Sequence, residues 1–240
     1  MKDKLPHEGH RERLKNRFLS SGLDNFEAHN ILELLLFYSI PRQDTNEIAH
    51  SLIERFGSLK GVFDADFSEL IKVCGIKENS ATLIKLIPQL ARAYMNDETV
   101  DESQIFDHAD KIGEYFINKF IGETNEVVYI MLLDNSWKLI KCEKLFEGSI
   151  NSSLVDMRKI AETVLLNKAS SMIIAHNHPN GLPVPSEEDL QTTGIFTTLF
   201  PTLGVNFLEH FIIASNQYVP IIHKSKIFHS NDNKLKLKYH

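Results

Sequence analysis

Two histidines and an aspartate in the C-terminal half have the residue types and spacing of a metal site. His176 and His178 end an apolar segment that predicts a β-strand. Side chains two positions apart on a strand point to the same side, so both imidazoles can reach one ion. Pro179 ends the strand, because proline cannot donate to the ladder. Ser186 then caps a helix whose third residue, Asp189, returns a carboxylate towards the imidazoles.

Two imidazoles and one carboxylate form a three-ligand set for zinc. Structural zinc sites usually have four protein ligands, whereas catalytic sites leave the fourth position to water. Zinc lowers the pKa of that water to about 7 and polarises a bound carbonyl. The pattern therefore predicts zinc-dependent hydrolysis of an amide bond. Taken singly, the histidines also fit a polar strand end, and Ser186 with Asp189 fits a simple capping box.

The elements that must position these residues belong to a mixed α/β region. Apolar runs and alternation there predict helices over 112–120, 156–167 and 187–200, and strands over 127–133, 137–146, 171–175, 205–214 and 218–222. The run 127–133 is apolar throughout, as in a strand that is buried on both faces.

The first 96 residues have helical periodicity and no β alternation. Helices are predicted over 10–19 and 27–38, from a cap at Asp44 or Thr45 to 56, from a cap at Asp66 to before Gly75, and from a cap at Asn79 or Ser80 to about 95. The predicted class is α+β, with a helical domain at 1–96, a polar linker at 97–104, a mixed-sheet domain at 105–223 and a polar tail at 224–240.

Composition narrows the class of protein. The 240 residues are 42% hydrophobic and 24% charged, which is typical of a globular protein with a core. The two cysteines form neither a disulfide framework nor a CxxC metal motif. With no signal-peptide pattern and no membrane-length apolar run, a cytoplasmic protein without membrane contact is expected. A net charge of -6 does not indicate general attraction to nucleic acid, although a local basic patch stays open.

The segment HNHPNGLPVPSEED, residues 176–189, resembles the metal motif of the JAMM (MPN) metalloprotease superfamily, in the form of its RadC branch, of the UPF0758 type. The segments LFEGSINSSLVDMR and LGVNFLEHFII, and the N-terminal HRERLKNRF and ELLLFYSIPRQDTNEIAHSLIERFGSL, are similar to the same family. This resemblance implies a JAB/MPN-like α/β domain, itself similar to the cytidine-deaminase fold, preceded by a helical domain.

The resemblance implies a role for each matching position. His176, His178 and Asp189 match the zinc ligands, and Ser186 matches the residue that helps to stabilise a tetrahedral oxyanion. Glu126 matches the glutamate that acts as general base.

Positions around these residues match the family less completely. Asn177, Arg158 and His210 are expected to surround the ligands. The family usually has His-Pro before the arginine, where this chain has Asp156 and Met157. It usually has an aspartate before the matching histidine, where this chain has Glu209.

The choice of Glu126 as base also has support from the sequence itself. Three acidic residues, Glu126, Glu143 and Glu147, lie upstream of the histidines. Glu143 and Glu147 lie within or just after the second strand, where solvent-facing positions are common. Glu126 lies directly before the buried strand, where a carboxylate can be partly desolvated and still reach a neighbouring strand end. Glu126 is also consistent with a polar residue that only begins the strand and has no catalytic role.

Residues 70–87 resemble a helix-hairpin-helix, a module that directs backbone N–H groups at a DNA phosphate. Gly75 and Lys77 are the candidate phosphate contacts, but Ile76 follows Gly75 where a second glycine is usual. Simple packing of two helices explains the same segment equally well.

Two function classes follow. The first is a zinc metallopeptidase that acts on a protein or peptide, and the second is a DNA-binding or DNA-repair accessory protein that uses the fold as a platform. A nucleobase deaminase is disfavoured, because the P-C-x-x-C motif is missing from the sequence. Neither the substrate nor the oligomeric state can be read from the sequence.

Overall fold

A computed structural model describes residues 8–99, 105–148, 157–179 and 181–222. These residues form nine helices and five strands: α1 Glu8–Ser21, α2 Ala28–Leu36, α3 Asn46–Phe56, α4 Leu59–Asp64, α5 Phe67–Leu70, α6 Glu78–Thr99, α7 Ala109–Lys119, β1 Val127–Leu133, β2 Leu139–Glu147, α8 Met157–Leu166, β3 Ser171–Asn177, α9 Glu187–Thr202, β4 Asn206–Ala214 and β5 Gln217–Pro220. The predicted α+β class is confirmed. The chain divides into two compact units, Met1–Ala91 and Arg92–His240.

The first unit is built from helices around one apolar core. Leu32, Leu52 and Ile84 are fully buried in it, on α2, α3 and α6. Helix α4 is an element that the sequence reading did not predict. It begins where the Ser58 hydroxyl accepts a hydrogen bond of 3.0 Å from the Gly61 N–H, which caps the helix.

The second unit is a five-stranded mixed sheet in the order β2-β1-β3-β4-β5. Strand β1 pairs antiparallel with β2 and β3, β3 pairs parallel with β4, and β4 pairs antiparallel with β5. The parallel pair is connected through α9, as a parallel pair requires a crossover. Strands β1 and β3 are buried along their whole length, which explains their nearly continuous apolar sequence.

Helices cover both faces of this sheet. Alternate residues of β1, such as Tyr129 and Met131, pack with α7 on one face. The residues between them, such as Ile130 and Leu132, pack with α8 and α9 on the other. The end of β3 and the start of α9 are therefore held in a fixed relation, which is what a metal site requires.

The observed boundaries differ from the predicted ones at several elements. Helix α5 ends at Leu70, because residues 71–75 form turns instead of the helix predicted up to Gly75, and α6 begins at Glu78, before the predicted caps Asn79 and Ser80. Helix α6 continues to Thr99, so the predicted linker 97–104 starts inside it, and residues 100–104 lie outside the described residues. The predicted helix start at Asp156 and the predicted tail 224–240 also lie outside them. Strand β3 continues two residues past the predicted end, because β1 and β4 pair with it on both sides. Within the described part of the chain, every helix is too short or too polar to cross a bilayer.

Candidate metal centre

Three polar side chains come together where β3 ends and α9 begins: His176 on β3, His178 just after it and Asp189 in the first turn of α9. The Nε2 atoms of His176 and His178 lie 3.0 Å apart. An Asp189 carboxylate oxygen lies 3.3 Å from Nε2 of His176, and the other lies 3.9 Å from Nε2 of His178. His176 is fully buried and Asp189 is almost so, whereas His178 is partly exposed. The nitrogens and oxygens thus converge on one point next to solvent.

Asp189 is held by the cap of its own helix. Its Oδ2 atom accepts hydrogen bonds from the Ser186 hydroxyl, at 2.7 Å, and from the Ser186 N–H, at 2.8 Å. The Asp189 N–H in turn donates to the Ser186 hydroxyl at 3.1 Å, which completes a capping box. Burial raises the pKa of Asp189, but the adjacent imidazole of His176 and the hydrogen bonds from Ser186 outweigh it. The net pKa lies well below the ordinary 3.8, so the group is a carboxylate.

Glu126 belongs to the same cluster. One potential ligand atom each of Glu126, His176 and His178 lies within 4.8 Å of the others, so this group could hold a metal ion. The alternative acids are engaged elsewhere: Glu143 pairs with Lys141 at 2.7 Å, and Glu147 accepts from Asn125 at 2.6 Å. Glu126 is therefore the upstream acid that the described residues bring to the histidines.

Asn177 connects the two histidines with the segment that carries Glu126. Its Oδ1 accepts from the Val127 N–H at 2.7 Å, and its Nδ2 donates to the Asn125 carbonyl at 3.0 Å. The two bonds hold the backbone on either side of Glu126. The position between the histidines thus fixes the start of β1, a function that its place in the motif alone does not reveal.

His210 lies on β4 and contacts His176. Its Nε2 lies 2.8 Å from Nδ1 of His176, and its Nδ1 lies 2.7 Å from the Thr193 hydroxyl. Burial lowers the pKa of His210 well below its ordinary value of 6.5. Thr193 was missed by sequence reasoning. Its one sequence signal is its position four residues after Asp189, which places it on the same face of α9.

The preceding residue, Glu209, serves the backbone around His210. Its buried carboxylate accepts from the N–H groups of His210 and Ile222, each at 2.8 Å. Glutamate therefore fills the place where the resembling family usually has an aspartate.

Arg158 is not brought to this cluster by the described contacts, and Gly75 and Lys77 belong to the first unit. Arg158 is exposed on α8 and pairs with Glu162 at 3.1 Å. Gly75 forms a left-handed turn, with φ +88°, and an added Cβ would lie 2.6 Å from the Ile48 side chain. Packing thus accounts for this glycine. Lys77 is exposed just before α6, and DNA contact at Gly75 and Lys77 stays a prediction.

Comparisons with known proteins agree with this architecture. A family model described as a RadC-like JAB domain matches residues 106–226. A UPF0758 protein of Fusobacterium nucleatum is 35% identical over 226 residues, which cover 92% of this chain and 97% of the relative. A UPF0758 protein of Coprothermobacter proteolyticus is 29% identical over 219 residues, which cover 90% of this chain and 93% of the relative. A UPF0758 protein of Ruegeria pomeroyi is 31% identical over 207 residues, which cover 86% of this chain and 92% of the relative. The chain therefore belongs to the UPF0758 family of proteins with a RadC-like JAB domain.

Proposed function

We propose that this protein is a zinc-dependent hydrolase of amide bonds in proteins or peptides. The observation that carries the proposal is that two imidazoles, one at the end of β3 and one just after it, lie beside two carboxylates. Asp189 of α9 lies 3.3 Å from Nε2 of His176, and Glu126 at the entry to β1 has a potential ligand atom within 4.8 Å of both histidines. Membership of a JAB-domain family supports the same reaction class without specifying it.

The donor set suits zinc. Ligand atoms about 2.0–2.1 Å from a tetrahedral zinc ion are roughly 3.3–3.4 Å from one another. Nε2 of His176 lies 3.0 Å from Nε2 of His178 and 3.3 Å from Oδ1 of Asp189, which is close to that value. The 3.9 Å between Nε2 of His178 and Asp189 is measured to the other carboxylate oxygen, Oδ2. A zinc ion held there would supply a Lewis acid that lowers the pKa of a bound water and polarises the carbonyl under attack.

Glu126 is the proposed general base. Its carboxylate can take the proton of the attacking water and pass it to the leaving amine. Such proton transfer needs an acid or base held within hydrogen-bond reach, and the two backbone bonds from Asn177 hold the Glu126 segment beside the histidines. Asn177 is therefore proposed as the residue that positions Glu126.

Ser186 is proposed to contribute to oxyanion stabilisation, as the family motif implies. Its single hydroxyl hydrogen is directed at Asp189 Oδ2 in this structure. To donate to an oxyanion, the hydroxyl must turn towards the substrate, and the Ser186 N–H would then remain as a donor to Asp189.

Metal analysis and a peptide-library cleavage assay on the full chain test the proposal. The wild type should contain about one zinc per chain and cleave peptides in a chelator-sensitive way. His178→Ala should lose most of the zinc. Glu126→Gln should keep the zinc and lose roughly 100- to 10,000-fold in rate, the usual contribution of a general base.

Glu147→Gln is the matched control. It makes the same change in a nearby carboxylate that is half exposed and lies outside the cluster, so both zinc and activity should stay near wild type. Equal zinc in the wild type and His178→Ala would refute the metal assignment. A wild-type rate in Glu126→Gln would refute the assignment of the base.

A further inference from the structure

A chain of buried side chains leads from His176 away from the metal cluster. His176 Nδ1 lies 2.8 Å from His210 Nε2, and His210 Nδ1 lies 2.7 Å from the Thr193 hydroxyl. The hydroxyl lies 2.6 Å from the backbone carbonyl of Asp189. His176, His210 and Thr193 are all buried, so these groups must satisfy one another.

The hydrogen positions in this series of hydrogen bonds follow from the acceptor at its end, the carbonyl of Asp189. A carbonyl oxygen can only accept, so the single hydrogen of the Thr193 hydroxyl lies on its bond to Asp189. His210 Nδ1 must then donate to the hydroxyl oxygen. Both ring nitrogens of His210 contact uncharged groups, a hydroxyl and an imidazole, and burial disfavours a charged ring. His210 Nε2 is therefore an acceptor, and His176 Nδ1 donates to it.

We infer that Thr193, acting through His210, sets the tautomer of His176 and so aims its lone pair at the metal. With hydrogen on Nδ1, the bare Nε2 of His176 faces the other proposed ligands. His178 has the same tautomer, with hydrogen on Nδ1, because its Nδ1 can only donate to the Leu182 carbonyl, 2.9 Å away. Partners of this kind orient ligating histidines in metal sites. Thr193 is thus a positioning residue, and its assignment rests on the proposed metal site.

Zinc affinity of the full chain, measured by competition with a chromophoric chelator, tests this inference. Thr193→Val keeps the shape of the side chain but removes the hydroxyl, and should weaken zinc binding roughly 10- to 100-fold. Thr193→Ser keeps the hydroxyl and should restore affinity to near wild type. Thr197→Val is the matched control, because Thr197 makes the same hydrogen bond to the carbonyl four residues earlier, at 2.8 Å, and its removal should leave zinc affinity unchanged.

A spectroscopic measurement separates a tautomer-setting role from a merely structural one. In the metal-free wild type, ¹⁵N NMR should show hydrogen on Nδ1 of His210 and a bare Nε2, with the signals identified by their absence from His210→Gln. Hydrogen on Nε2 of His210 would overturn the inference, as would wild-type zinc affinity in Thr193→Val or an equal loss in Thr197→Val. If the wild type binds no zinc, the proposed function fails, while the NMR experiment still decides the tautomer.

Discussion

Ser186 and Asp189 each serve both the helix and the cluster. Their reciprocal bonds satisfy backbone N–H groups at the start of α9 and at the same time hold the carboxylate that faces His176. Ser58 caps α4 in the same way, through a hydroxyl that accepts from Gly61, but no metal ligand follows it. Comparing the two serines thus separates the contribution of Ser186 to helix capping from its contribution to the proposed metal site.

Replacing each serine by alanine should give similar losses of stability and different effects on zinc. Ser186→Ala and Ser58→Ala should each lower the free energy of unfolding by about 0.5–2 kcal/mol, measured by denaturant titration. Only Ser186→Ala should also weaken zinc binding, roughly 10- to 100-fold, because Asp189 loses a hydrogen bond that orients it. Unchanged zinc affinity in Ser186→Ala would show that the backbone N–H alone orients the carboxylate.

Residue types and short spacings were enough to select the cluster from the sequence. His176, His178, Asp189 and Ser186 lie within one segment of strand, loop and helix, so local rules of strand geometry and capping apply to them. Thr193 and the function of Asn177 depend on contacts across the fold. The partner of Thr193 lies 17 residues away on another strand, and that of Asn177 lies 50 residues away. Such pairs cannot be found without the sheet register.

Helix α7 lies close to strand β5, and glycine permits that approach. An added Cβ on Gly113 would lie 2.5–2.6 Å from three ring atoms of Tyr218. The ring cannot move aside freely, because the Tyr218 hydroxyl donates to Asp110 at 2.5 Å. Gly194 on α9 has the same helical setting, but an added Cβ there would meet no atom within 4 Å.

Alanine at these two glycines should change stability in opposite directions. Gly113→Ala should lower the free energy of unfolding by about 1–3 kcal/mol, because the methyl group overpacks the contact between α7 and β5. Gly194→Ala should raise it by about 0.5–1 kcal/mol, because alanine loses less backbone entropy in a helix. Denaturant titration of the full chain measures both. A stabilised Gly113→Ala variant would contradict this packing of α7.

The elements were predictable where their periodicity was strong. Strand β1 and helix α3 match their predicted positions closely, because an apolar run marks the strand and apolar residues at helical spacing mark the helix. Helix α4 was missed because it has six residues and contains a glycine, which gives too little periodicity to detect. The end of β3 was placed too early because pairing with β1 and β4, rather than local propensity, extends it to Asn177.

The two cysteines of the whole molecule lie in different units and differ in their exposure. Cys74 is exposed in the first unit, and Cys142 lies partly buried on β2 in the second, packed against the core of the sheet. Burial raises the pKa of the Cys142 thiol to about 11, against the lowering effects of Lys119 and Tyr115. Since the thiolate is the reactive form, the environment of Cys142 suppresses its reactivity.

Iodoacetamide should therefore alkylate Cys74 far faster than Cys142 in the folded protein. With a pKa of about 11, only about one Cys142 thiol in a thousand is ionised at pH 8. Its rate should rise about tenfold when the pH increases from 8 to 9, because the pH stays below the pKa. Mass spectrometry of the two tryptic peptides measures each rate, and denaturant should remove the protection of Cys142. Equal rates in the folded protein would contradict its burial.

Strand β4, which carries His210, also matters for the time at which the cluster becomes complete. The chain is synthesised from its N-terminus, and 34 residues separate His176 from the His210 side chain that contacts it. A nascent chain that ends before β4 therefore carries His176 and His178 without the buried partner of His176. The proposed metal pocket is thus complete only after nearly the whole sheet has left the ribosome, and an interrupted chain presents the two histidines without the residue that orients one of them.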